Sequence, residues 1–259
     1  MWAELASEPV VVLTGDQDWA PTWATQRQLE IARRHEVPLH LFITHDDPLV
    51  REPPDGLTLG LHPNFLPGST HGDDPAAIVE HCLRLVPGAT TARCHHFTES
   101  TAWLAELARR GVRAHSADGT LLQAGLVPGL HLSGMLRVPV FLEDDVLLHW
   151  AGRVPTVDEL RPFLLTPGLK LLSFHPAHVG INSRDEADYA AARSALYGDG
   201  ERPSHGGRGC ADLLDELLVE TRAQGLRVIG FPELVDRAEA LVHAAHPDGI
   251  LGWSPGAAW

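Results

Sequence analysis

Short apolar runs alternate with amphipathic stretches along this chain, and turn residues punctuate them. Val10-Val11-Val12-Leu13 is an unbroken apolar run rich in β-branched side chains, which predicts a buried strand of a parallel sheet. Strands of the same kind are predicted over 38–44, 57–61, 89–94, 112–115, 136–142, 168–174 and 226–230. Helices are predicted between them, over 21–35, from a cap at Asp73-Asp74-Pro75 to about Val86, and over 100–110, 186–197, 210–224 and 232–244. Residues 116–134 read as loop, and 199–209 as a Gly-rich mobile loop. Strand and helix alternate with no internal repeat and no dividing linker. The expected architecture is therefore α/β, a parallel sheet closed as a barrel, in a single domain spanning 1–259.

Composition narrows the function. A net charge of −14 with no Lys/Arg cluster argues against nucleic acid and against anionic lipid surfaces as partners. No stretch approaches the roughly 20 apolar residues of a membrane span. Met1-Trp2-Ala3-Glu4-Leu5 lacks the charged start and apolar run of a secretory signal, so a cytoplasmic protein is expected. Cys82, Cys94 and Cys210 are too scattered for a disulfide frame or a Cys-based metal site. Oligomeric state is not legible.

The predicted strand ends carry the chemistry. The first runs into Asp16 and Asp18, the third into His62, and the fourth into Arg93, His95 and His96. Asp144 and Asp145 follow the strand at 136–142, and His175 and His178 follow the one at 168–174. Ligands in α/β folds gather at the carboxyl ends of strands. Each residue also has a plain structural reading, such as an Asx-turn or helix cap for the Asp residues and a strand-end turn for His175. His178 is a pocket wall or a structural hydrogen-bonding group. Five strand ends bearing carboxylates or imidazoles favour a site. One Asp and two His suit Zn²⁺ or a similar divalent ion, which would polarise a carbonyl and acidify water. His35, His81, His115 and His243 read as surface or helix-face residues, Cys94 and Trp103 as core.

These residues carry a resemblance to the polysaccharide deacetylase (NodB-homology) superfamily, in particular its WbmS-like branch. The resembling segments are Thr14-Gly15-Asp16-Gln17-Asp18-Trp19, Gly60-Leu61-His62-Pro63-Asn64-Phe65 and Arg93-Cys94-His95. Arg137-Val138-Pro139 with Glu143-Asp144-Asp145, and Phe174-His175-Pro176-Ala177-His178 with Asn182, complete the order. The resemblance implies a distorted (β/α) barrel that removes an N-linked acyl group from an amino sugar or related small N-acyl compound by metal-assisted hydrolysis. It gives Asp18 to the metal and Asp16 to the general base, with exchange of the two left open. It implies His62 as a second ligand, but Leu66 stands where the superfamily has its next His. His95 is the expected replacement, with His96 and His71 as alternatives. His175 is implied as general acid, and Arg93 is expected to pair with Asp144 or Asp145. Trp19, Asn64, His96, Glu143, Asp144, His178 and Asn182 are expected around the substrate, with 116–134 and 198–209 as walls. Zn²⁺ is the expected ion, with Co²⁺, Ni²⁺ or Mn²⁺ as alternatives. Hydrolysis of another C–N bond, or a silent carbohydrate-binding relative, are the competing functions.

Overall fold

The computed structural model describes residues 3–197 and 202–247. In chain order its elements begin with Ala3–Ala6 (α1), Pro9–Asp16 (β1), Thr22–Arg34 (α2), Leu39–Ile43 (β2), Pro48–Arg51 (α3) and Leu57–Leu61 (β3). Pro75–Leu85 (α4), Thr91–Ala92 (β4), Thr101–Arg109 (α5), Ala114–Gly119 (β5), Gly129–Leu130 (β6) and Leu136–Val140 (β7) follow. Next come Leu142–Glu143 (β8), Asp144–Ala151 (α6), Val157–Leu164 (α7), Gly168–Ser173 (β9) and Pro176–Ile181 (α8). Glu186–Leu196 (α9), Cys210–Ala223 (α10), Arg227–Val228 (β10) and Phe231–Ala245 (α11) end the described chain.

The expected α/β architecture is present. Strands run β6-β7-β5-β4-β3-β2-β1-β9-β8, and β10 adds to β1. All pairings are parallel except β6 with β7. β8 ends this order and β7 stands next to the other end, yet the two are consecutive in sequence and separated only by Phe141. Val140 accepts from Thr120 N on one side while Phe141 N donates to Leu171 O on the other. One bent stretch thus bonds to β5 on one side and to β9 on the other, curving the sheet in the manner of a distorted barrel. Because the strands are parallel, their carboxyl ends collect on one face.

Sequence chemistry explains the main elements. Val10 to Leu13 are buried on both faces of β1, as their continuous apolar run requires. Asp74 caps α4 by accepting from Ala77 N, and Ser100 caps α5 by accepting from Trp103 N. Gly15 is needed for closeness, since a Cβ there would lie 2.6 Å from Phe174 O.

Some expectations change. The strand at 89–94 shrinks to Thr91–Ala92, because the chain leaves the sheet to place Arg93 and His95. Residues 114–119 are a strand and 129–130 a short one, where loop was expected from 116 on. Helix α6 starts directly from β8, its first turn holding Asp144 and Asp145 against the positive helix end. A helix, not a turn, follows His175, started by Pro176. His115 is buried in the core, contrary to its surface reading, with Nε2 3.2 Å from Cys94 Sγ. Residues 198–201 of the Gly-rich loop lie outside the described residues, and 202–209 form no helix or strand. Among the described residues no helix is long and apolar enough to cross a membrane.

Candidate active site

The carboxyl end of β1 sets the site. Asp16 is its last residue, and the chain then turns sharply, with Asp18 at φ 45° and Trp19 at φ 56°. Two successive non-glycine residues in the left-handed region are strained, by roughly 1–3 kcal/mol each. The loop is held there by Gln17, whose Oε1 accepts from Thr44 N at 3.0 Å and His45 N at 3.1 Å. Trp19 N donates to Thr44 Oγ1 at 2.9 Å. The turn aims the Asp18 carboxylate back over the barrel.

There it meets two imidazoles. His62, just past β3, places Nε2 3.0 Å from Asp18 Oδ1. His95, just past β4, places Nδ1 3.0 Å from the same oxygen, and the two ring nitrogens are 3.4 Å apart. Bonds of ~2.0–2.1 Å to a tetrahedral ion separate ligand atoms by about 3.3 Å, which these spacings match. Asp18 Oδ1 is buried without any hydrogen-bond partner. Burial works against its charge, but His62, His95 and His175 outweigh burial and hold the Asp18 carboxyl well below the usual range. The donor set therefore fits a divalent cation. His71 is not part of it: its Nδ1 accepts from Asn64 N at 3.2 Å, and its ring stacks on His81 at 4.8 Å. His96 is not part of it either. The segment is a tight turn with His96 at φ 55°, not an extended stretch, so His95 and His96 both face the same cavity.

Arg93 departs from expectation. It pairs with neither Asp144 nor Asp145; its Nη1 lies 2.8 Å from Asp16 Oδ1. The guanidinium is fully buried and donates also to Ser173 Oγ (2.8 Å), Thr14 Oγ1 (3.0 Å), Ser116 Oγ (3.0 Å) and Ser116 O (3.2 Å). Its carbon sits 4.5 Å above the Phe42 ring. A planar fork with five donors suits such a cradle, and a lysine could not fill it. Asp144 has a different duty. Its Oδ1 accepts from His175 Nδ1 at 2.6 Å and its Oδ2 from His175 N at 2.9 Å. It lies behind His175, 1% exposed, not in the substrate cavity. Burial pushes His175 down, but Asp144, Asp145 and Asp18 outweigh it and hold the imidazole well above its usual range. Its Nε2 points into the site, 3.6 Å from Asp18 Oδ2 and 3.9 Å from Glu143 Oε1. Burial, with repulsion from Asp145 and Asp16, pushes the Glu143 carboxyl well above the usual range.

Two adjoining spaces open onto these groups. One, of about 240 Å³, is lined by Asp16, Asp18, His62, Glu143, Asp145 and His175 among others. The other, of about 550 Å³, continues past Trp19, His96 and His178 to α9. His178 serves in both readings, lining this space while its Nδ1 lies 3.0 Å from Ser183 Oγ. Asn64 and Asn182 line neither space. Asn64 Oδ1 accepts from Leu66 N in a turn, and Asn182 ties α8 to α10 by donating to Asp212 Oδ2 and accepting from Ala211 N. The outer wall comes from Tyr189, Arg193 and Tyr197 and not from 116–134. Those three were missed, although their spacing of four residues along a predicted helix was a signal.

Known proteins share this fold. A model of the WbmS-like polysaccharide deacetylase family matches residues 13–193. The chain belongs to that family. A polysaccharide deacetylase involved in O-antigen biosynthesis from Bordetella bronchiseptica is similar in structure, with a TM-score of 0.73 and 27% identity over 81% of this chain and 90% of that one. A polysaccharide deacetylase from Mycobacterium smegmatis shares the fold at 15% identity and a TM-score of 0.50, over 85% of this chain and 92% of that one. So does a family 4 acetyl xylan esterase from Clostridium thermocellum, crystallised with a cobalt ion, at 12% identity and a TM-score of 0.50 over 89% and 92% of the two chains. No curated protein matches.

Proposed function

We propose that this WbmS-like deacetylase removes an N-acetyl group from an amino sugar, using a divalent ion held by Asp18, His62 and His95. The observation that carries the reading is the meeting of Asp18 Oδ1 with His62 Nε2 and His95 Nδ1, each at 3.0 Å. Zn²⁺ suits two nitrogens and one oxygen, with Co²⁺, Ni²⁺ or Mn²⁺ as substitutes. When bound, the ion would polarise the acyl carbonyl and make water nucleophilic near neutral pH.

The protein's own groups divide the proton work. Asp16 borders the smaller space and takes a proton from the attacking water, held in place by the Arg93 fork. His175 borders the same space with its Nδ1–H donating to Asp144, so the second proton of the charged imidazolium stands on Nε2, ready for the leaving nitrogen. Water's oxygen bonds to the acyl carbon, the C–N bond breaks, the acid leaves with that oxygen, and the amine takes the proton from His175. Glu143 and Asp145 complete the polar lining of that space, and Trp19, His96 and His178 that of the larger one, where the sugar sits.

The test is elemental analysis of the purified protein together with acetate release from N-acetylated sugars. His95→Ala is expected to lose the ion and the activity, while His71→Ala keeps both. Full metal content in His95→Ala would remove His95 from the ligand set.

A further inference from the structure

We infer that the substrate carries an anionic substituent, a carboxylate or phosphate on the sugar, which Arg193 binds at the outer wall of the larger space. This rests on the reading of that space as the sugar site. Helix α9 presents Tyr189 and Arg193 four residues apart, and Tyr197 follows four residues later at its C-cap, so the three share one face. All three border the space that leads to Asp18, His95 and His175.

Among the described residues bordering it, Arg193 is the sole side chain with a permanent positive charge. Its guanidinium has no carboxylate partner among the described residues, although most arginines of the chain are paired with acids. In a chain of net charge −14, an arginine with no acid partner among the described residues, at the mouth of a cavity, suits an anion from outside. The side chain is exposed, so its five donors reach solvent and can close on a carboxylate or phosphate in bidentate fashion.

The flanking rings set how the sugar lies. Tyr197 is 45% exposed and its hydroxyl donates to Asp18 O at 3.4 Å, which places that ring beside the metal-site loop. Tyr189 packs on His178 at 4.6 Å. Together with Trp19 they offer apolar faces to a pyranose ring on the path from the ion site to Arg193. A neutral N-acetyl sugar would use these faces and leave the guanidinium without a partner. An acidic one would use both.

The test uses metal-loaded protein and matched probes: N-acetylglucosamine, N-acetylglucosaminuronate and N-acetylglucosamine 6-phosphate. Acetate release gives kcat/KM for each; where a probe is not hydrolysed, calorimetric titration gives its Kd. Wild type is expected to favour one or both anionic probes over the neutral sugar by roughly 10-fold or more, as a charge-assisted bond supplies. The comparison of uronate with phosphate tells which anion fits. Arg193→Gln is expected to bring that ratio near one, and Arg193→Lys to restore part of it. Added salt is expected to shrink the wild-type ratio, since an exposed pair is screened. Tyr197→Leu is expected to weaken neutral and anionic probes alike. Equal preference in wild type and Arg193→Gln, or no preference for either anion in wild type, would overturn the inference. Acetate release from no probe would instead count against the deacetylase reading, and the titrations would still decide the role of Arg193.

Discussion

Replacing Asp144 by Asn tests the acid side of the mechanism directly. The carboxylate accepts from His175 Nδ1 at 2.6 Å and Asp145 N at 2.9 Å through Oδ1, and from His175 N at 2.9 Å through Oδ2. An amide has one acceptor oxygen, so in either orientation its NH₂ faces a backbone N–H. With the oxygen kept on His175 N, the NH₂ also faces Nδ1, which must then give up its proton and accept. The imidazolium loses a charged partner in both cases. A hydrogen bond to a charged group contributes about 1.5–3 kcal/mol. At about 1.36 kcal/mol per unit, that lowers the pKa of His175 by roughly one to two units. The sign follows from the role: the donor must be protonated, so activity falls as pH rises through its pKa, and lowering that pKa moves the alkaline limb toward acid. The assay is kcat/KM for acetate release from about pH 5 to about pH 9 on metal-loaded wild type and Asp144→Asn. The apparent values belong to the coupled site and not to His175 alone, so the shift between the two proteins is the quantity to read. An alkaline limb that stays in place in the variant would refute the assignment and point to another donor, with His178 the next group on that wall.

The other predictions concern buried charge. Arg93→Met fills similar volume but leaves Asp16 buried without its partner, so stability should fall by about 3–5 kcal/mol in urea denaturation. A loss under about 1 kcal/mol would mean that the fork contributes little, and Asp16→Asn in the same background should recover part of a larger one. Stability should also fall on acidification through the buried histidines. Burial, with Arg93 repelling, depresses His40 to about 3, and burial, with Arg137 and Arg93 repelling, depresses His115 to about 3. The unfolded chain takes up these protons near pH 6.5 while the folded one refuses them, so the contribution is complete above that pH and is lost as pH drops toward about 3. Each group should add a slope of about 1.4 kcal/mol per pH unit in that window. Urea midpoints measured across it should flatten by one proton's worth in His40→Asn; an unchanged slope would contradict the depressed value.

The sequence alone determined the alternation of strand and helix, because continuous β-branched runs and amphipathic stretches differ in period and need no partner to be seen. It put the candidate groups together, since a parallel sheet brings all its strand ends to one face whatever their order. The caps at Asp74 and Ser100 were legible for the same reason, being local exchanges between a side chain and the next turn's N–H groups. The resemblance implied Asp18 and His62, while His95 was the expected substitute for the imidazole that Leu66 replaces. Partnership across the barrel was not local. The sequence pairs Arg93 with Asp144 or Asp145, and only the path of the chain past the two-residue strand β4 gives it to Asp16. The hydroxyls of Thr14, Ser116 and Ser173 meet on that guanidinium from three strands, a convergence no spacing encodes. Helix α6 and the helix after His175 escaped notice because each starts within two residues of a strand's end, where the apolar period has not yet changed. The outer wall was assigned to loops, yet it is built by one helix face bearing Tyr189 and Arg193 and by Tyr197 at its end. Burial of an ionisable group is likewise a property of the assembled barrel, which is why His115 read as a surface residue and lies in the core.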